Sequence, residues 1–252
     1  MLLCIDIGNT NTVLATFDGD KLVHNWRIKT DARSTADELG LMFRGLLAGD
    51  AVEITGVAAC STVPAALRSL RTMLTRYYAD LPSVIVEPGV RTGVQLAIDN
   101  PKEVGADRVV NTLAAHSLYG GPSIVVDFGT TTNFDVISGR GEFLGGAFAP
   151  GIEISFDALA ARAAQLRKVE ATRPRSVIGK NTVECLQAGL YFGFAGQVDR
   201  IVERMAAELG ELKAVIATGG LAPLVLNECR TITHHEPMIT LIGLRMVYER
   251  NV

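Results

Sequence analysis

The sequence predicts an α/β protein of two similar domains that face each other across a cleft. Three observations predict it. Short apolar runs of β character alternate with helical apolar spacing along the chain. An apolar run ends in the pattern D-x-G-x-T twice, at Asp6–Thr10 and at Asp127–Thr131. Gly120-Gly121-Pro122 is the clearest break, and after it the pattern begins again. A duplicated β-β-β-α-β-α unit is the economical explanation. The expected domains are 1–119 and 120–252, and domain clefts are common ligand sites.

Each element has a local reason. Leu2–Ile7 and Thr12–Phe17 are apolar runs, and Gly19-Asp20 turns the second into Lys21–Arg27, giving a three-stranded meander. Ser34 or Thr35 caps a helix whose first turn is acidic. Ile54–Ser61 reads as a buried strand. Val63-Pro64 opens a helix with proline near its first position, where the missing N–H is not needed. Ser83–Val86 is a short strand, and Val104–Tyr119 carries helical apolar spacing. In the second half Ser123–Phe128, Asn133–Ser138 and Glu142–Phe148 repeat the meander, with Gly139-Arg140-Gly141 as a turn. A helix over about Glu153–Leu166 follows, then a long one over Thr182–Leu209. Ala214–Ala217 is a strand, Gly219-Gly220 a turn, and the end of the chain reads as helix.

Composition narrows the function classes. With 252 residues the chain can bury a sizeable core without staples. A net charge of -3 and no basic run argue against a nucleic-acid binder. No apolar stretch reaches the roughly 18 residues a membrane helix needs. The opening MLLCIDIGNTNT lacks a basic n-region, so it does not read as a signal peptide. Cys4, Cys60, Cys185 and Cys229 form no metal spacing, and Cys4 and Cys60 sit in apolar runs as buried thiols. A cytoplasmic location is expected. Trp26 and the pair His234-His235 carry only packing or surface readings.

The two turns carry the chemistry. A tight turn rich in Gly, Asn and Thr leaves backbone N–H groups pointing outward, and such a nest binds phosphate. An Asp at the end of each strand would be repelled by phosphate unless a cation lies between, so Asp6 and Asp127 read as outer or inner cation ligands. No G-x-x-x-x-G-K-[ST] occurs, which excludes a P-loop enzyme. Ile178-Gly179-Lys180 reads as a loop before an Asn181 helix cap. Thr218-Gly219-Gly220 gives backbone room for a flat group such as a purine, or is a plain tight turn. Asp107 and Arg108 fall at a helix start. A carboxylate there can take a proton from a hydroxyl as phosphoryl transfer proceeds, and the arginine can hold an anionic part of a substrate.

Taken together, the motifs DIGNTNT (6–12), DNPKEVGADR (99–108), VVDFGTTTNFD (125–135), GGAFAPGI (145–152), IGKNTVECLQAG (178–189) and ATGGLA (217–222) resemble the type III pantothenate kinases. These belong to the acetate and sugar kinase/Hsp70/actin superfamily. The resemblance implies duplicated ribonuclease-H-like or actin-like domains with mixed sheets flanked by helices. It implies ATP-dependent phosphorylation of pantothenate to 4'-phosphopantothenate, the first step towards coenzyme A. By the same resemblance Asp107 is the general base. ATP is held by Asp6, Ile7, Gly8, Asn9, Thr10, Asn11, Thr12 and Val13, with Thr130 from the second turn. Pantothenate is bordered by Ile98, Gly105, Ala106, Asp107, Arg108 and Thr182. Asp127 is the ligand of a monovalent cation, K+ or NH4+, and Asp6 holds Mg2+, through water or directly. The family pattern also implies a homodimer with pantothenate bound close to the partner subunit.

Two departures bear on affinity and nucleotide preference. Many members carry Tyr where this chain has Ile98, and F-G-T-A-T is common where it reads Phe128 to Thr132, followed by Asn133. Two other readings stay open at this point. Another superfamily enzyme, a sugar kinase or polyphosphate hydrolase, would share the turns without needing DNPKEVGADR. A non-catalytic nucleotide-binding regulator of the same fold would bind ATP without pantothenate-stimulated ADP release.

Overall fold

The structure is a computed structural model, and it describes residues 1–49, 53–162 and 169–252. These fall into two units. The first comprises Met1–Val94, Asp99–Ala114 and Met238–Val252; the second comprises Gln95–Ile98 and Ala115–Pro237. A single cut after residue 119 therefore divides the chain differently, because the last helix packs on strands of the first unit.

The first unit is built on β1 (Leu2–Ile7), β2 (Asn11–Asp18), β3 (Lys21–Lys29), β4 (Gly56–Ser61) and β5 (Ser83–Ile85), in the order β3-β2-β1-β4-β5. The meander is antiparallel and the β1, β4 and β5 pairings are parallel. Period-2 alternation assigns the faces. Leu3, Ile5, Ile7, Val57 and Ala59 pack with side chains of α1 (Ala36–Gly49) and α2 (Pro64–Tyr77). Cys4, Ala15, Phe17, Ala58 and Cys60 pack on the other face with α3 (Ala106–Tyr119) and α6 (Ile239–Asn251). Each fully buried large side chain, such as Phe17, Phe43 or Leu70, contributes about 1.5–3 kcal/mol. Thr35 rather than Ser34 caps α1. Its hydroxyl accepts from Glu38 N–H at 3.3 Å while its own N–H donates to Glu38 Oε2 at 2.7 Å, a reciprocal capping box.

The second unit repeats the plan. It has β6 (Ser123–Phe128), β7 (Thr131–Ile137), β8 (Phe143–Pro150), β9 (Ala214–Thr218) and β10 (His234–His235), in the order β10-β9-β6-β7-β8. Read from the meander inward this is the first sheet again, with the same parallel and antiparallel pairings. Its core joins Ile124, Val126 and Phe128 to Phe156 of α4 (Ile152–Arg162) and to Tyr191, Phe194 and Val198 of α5 (Thr182–Leu209). The far end of the helix expected to reach Leu166 lies outside the described residues.

One element departs from expectation. His234-His235, read as surface or packing residues, form the edge strand β10, parallel to β9. Distant contacts place it there. The buried Asp199 of α5 accepts from the N–H groups of Arg230 and Thr231 and from the Thr231 hydroxyl, all at 2.9 Å. Thr233 then exchanges bonds with Val215 on β9. A two-residue polar strand has no apolar signal of its own.

Candidate active site

The first turn joins β1 to β2 by a hairpin closed from Gly8 N–H to Asn11 C=O at 3.0 Å. The end of β3 is tied to it, with Thr30 N–H donating to Thr10 C=O at 2.9 Å. Asn9 and Thr10 are exposed at the tip, and Gly8, Asn11 and Val13 are partly buried. Ile7 and Thr12 face inward: Ile7 is core, and the Thr12 hydroxyl bonds that of Thr30 at 2.9 Å. Those two residues shape the turn from beneath.

Asp6 lies in β1 two residues before the turn, on the α3 side of the sheet. Cys60, its register partner on β4, donates its thiol hydrogen to Asp6 Oδ1 at 3.3 Å. Asp107 stands in the first turn of α3, where the N–H of Arg108 donates to its Oδ1 at 2.9 Å. The charge of Asp107 acts on Asp6. Burial, and then the Asp107 charge, push the Asp6 carboxyl up to about 7, against the Cys60 hydrogen bond and the Arg27 charge. Burial also raises Asp107 above the ordinary carboxylate range, opposed by the Arg108 N–H and guanidinium. Gly105 permits this geometry, since a Cβ there would collide with Asp107 Oδ1. Ala106 and Arg108, partly buried, flank the acid. The structure thus brings Asp6, Gly105, Ala106, Asp107 and Arg108 together in one unit.

The second turn joins β6 to β7 and closes from Gly129 N–H to Thr131 C=O at 3.0 Å. It is one residue shorter than the first. Ile7 pairs with Thr12, whereas Phe128 pairs with Thr132, so Asn133 occupies the place of Val13. Thr130 is exposed at its tip. Two glycines press on this turn. Gly151, after β8, would drive a Cβ into the carbonyl oxygens of Thr130 and Gly129. Gly219, at φ +89°, would set one 2.5 Å from Asp127 Oδ1 and 2.6 Å from the Phe128 backbone. The Asp127 carboxylate is therefore enclosed by the second turn and by the glycine turn after β9. Ile98 belongs to this unit, where it packs against Gly145 of β8, while Gly105–Arg108 belong to the first unit. Thr182 is the first residue of α5, exposed, next to the Asn181 cap, whose Oδ1 accepts from Glu184 N–H at 3.0 Å.

The donor sets fit oxygen-loving cations. Among the described residues the Asp6 carboxyl takes a hydrogen bond from the Cys60 thiol, a weak donor, and feels the charges of a second acid and of Arg27. Among the described residues no group of three His, Cys, Asp or Glu forms a cage. A divalent cation held there would complete its shell with phosphate and water oxygens, as magnesium does. Asp127 Oδ1 and the Phe128 carbonyl oxygen both border Gly219, and oxygens of these kinds could hold a monovalent cation. Arg27 and Cys60 were missed by sequence reasoning, because only the strand register brings them beside Asp6.

Known proteins resemble this chain in sequence and in fold. A sequence model of the type III pantothenate kinase family matches residues 2–204. A type III pantothenate kinase of Salinispora arenicola is 92% identical over 252 residues, covering 100% of both chains. Among solved structures, a chain described as a Baf family transcriptional activator from Campylobacter jejuni aligns with a TM-score of 0.61 at 17% identity, covering 99% of this chain and 98% of that one. A ROK family glucokinase from Streptomyces griseus, in complex with glucose and AMPPNP, aligns with a TM-score of 0.53 at 12% identity, covering 99% of both. Both likenesses speak for the fold. No helix among the described residues is long and apolar enough to cross a membrane.

Proposed function

The chain belongs to the type III pantothenate kinase family, and from that premise we propose how its residues divide the work. It phosphorylates pantothenate with ATP, giving 4'-phosphopantothenate in coenzyme A biosynthesis. In our reading Asp107 accepts the proton of the primary hydroxyl, whose oxygen then attacks the γ-phosphorus as ADP departs. The observation that carries this role is a carboxyl at a helix start, held by the Arg108 N–H and made more basic than usual by burial.

The first turn cradles ATP phosphates through the Gly8–Asn11 backbone and the exposed Asn9 and Thr10 side chains, with Ile7, Thr12 and Val13 as its base. Thr130 meets the nucleotide from the second turn. Arg108, with Gly105 and Ala106, borders pantothenate, as do Ile98 and Thr182. Asp6 would hold Mg2+ and Asp127 K+ or NH4+, and these ions would neutralise triphosphate charge. Positioning and electrostatics then supply most of the acceleration. We place the enzyme in the cytoplasm as a homodimer without nucleic-acid or membrane partners.

Substituting Asp107→Asn tests the central role. Calorimetry should show MgATP binding nearly unchanged, while turnover falls about 10²-fold or more. An Asn variant working at the wild-type rate would remove Asp107 from that role.

A further inference from the structure

One register row crosses the meander and continues into β4. Arg27 on β3 pairs with Val13 on β2, Val13 with Asp6 on β1, and Asp6 with Cys60 on β4. Cross-strand partners share a face of the sheet. The Arg27 side chain therefore leaves the sheet on the side of Asp6, two strands or roughly 10 Å away between backbones. Only the partly buried Val13 stands between them. Alternation along β3 agrees. Trp26 and Ile28 pack into the core on the α1 and α2 face, so Arg27 and Lys29 project from the opposite one.

The row borders the first turn directly. Asp6 and Val13 are the residues that flank the segment closed by Gly8 and Asn11. Arg27 is exposed and forms no ion pair among the described residues. Its charge nevertheless reaches the Asp6 carboxyl, from within the same unit. A guanidinium on the face of the sheet that carries Asp6, in the row that flanks the first turn, suits one task. It presents parallel N–H donors to a passing oxyanion, which a lysine ammonium does not.

We propose that Arg27 is a catalytic residue that grips the phosphoryl group in transfer, from the row it shares with Asp6. The proposal rests on the kinase reading above. The same guanidinium chemistry would serve the carboxylate of pantothenate, so the test must separate two sources of oxyanion.

The experiment measures ADP release by the full-length protein carrying Arg27→Gln or Arg27→Lys, with MgATP and either pantothenate or an N-alkyl amide of pantothenate, which has no carboxylate. Wild type must first show acceptor-dependent release; without it the kinase reading fails, and this proposal with it. Given that, Arg27→Gln should lower kcat about 10²–10³-fold. The loss should be the same with pantothenate and with the amide, and the KM for pantothenate should hold. Arg27→Lys should recover part of the loss, since it restores the charge without the planar fork. Two outcomes overturn the proposal and leave the kinase reading standing. One is wild-type kcat in Arg27→Gln. The other is a defect confined to the KM for pantothenate and absent with the amide.

Discussion

At the residue scale the Asp6 carboxyl, placed by our reading in the site, works against stability at neutral pH. Its carboxyl is moved from the ordinary 3.8 up to about 7, first by burial and then by Asp107. The folded state therefore holds this proton more tightly than the unfolded chain does. Below the ordinary value both states are protonated and nothing is lost. As the pH rises towards 7 the folded state must surrender a proton it holds tightly, and above 7 the whole cost is present, about 4 kcal/mol. The nucleotide-free Asp6→Asn variant should thus be more stable than wild type at pH 8 by about that amount, with the gain nearly gone at pH 4. Its kinase activity should be lost. Urea unfolding at the two pH values checks this, and equal effects at both would refute it. Asp6 itself was legible in the sequence, because an Asp before a Gly-Asn-Thr turn is a local pattern. Its partners Cys60 and Arg27 were not, because they arrive from other strands through register.

At the scale of elements, turn and cap chemistry carried most of the sequence reading. Pro64 does open α2, Asn181 does cap α5, and Asp107 does fall in the first turn of α3. Asn181→Ala should cost about 1 kcal/mol by freeing the Glu184 N–H. Because Thr182 is the next residue, the same change should raise the KM for pantothenate with kcat little altered. Asn181→Ser, which keeps a cap acceptor, should restore both, as thermal melts and steady-state kinetics would show. What the elements hid was non-local. β10 is a strand because Asp199 and Thr233 hold its approach, and two histidines give no periodicity to read. The phosphate turns match through D-x-G-x-T, yet one is a residue longer, a difference visible only in the pairing of Thr12 and Thr132.

The whole molecule is a duplication whose halves differ around their first turns. The two sheets share one strand order, and each places an Asp at the end of its first strand beside a glycine turn. The first unit adds Asp107 to its Asp, making a site of two acids. The second instead closes Gly151 and Gly219 around its turn, enclosing Asp127 in backbone. This division supports the proposal of a base in one half and a monovalent cation in the other. The duplication was legible because both meanders keep strand, turn and strand at similar spacing. The assignment of Met238–Val252 to the first unit was not, since only packing against β1 and β4 decides it. The account is tested most directly by ADP release from MgATP, with and without pantothenate, in potassium and then in sodium, for wild type and Asp127→Ala. It predicts release that requires pantothenate, rises with potassium, and loses its potassium response in the variant. Release indifferent to pantothenate, or potassium activation that survives Asp127→Ala, would contradict it.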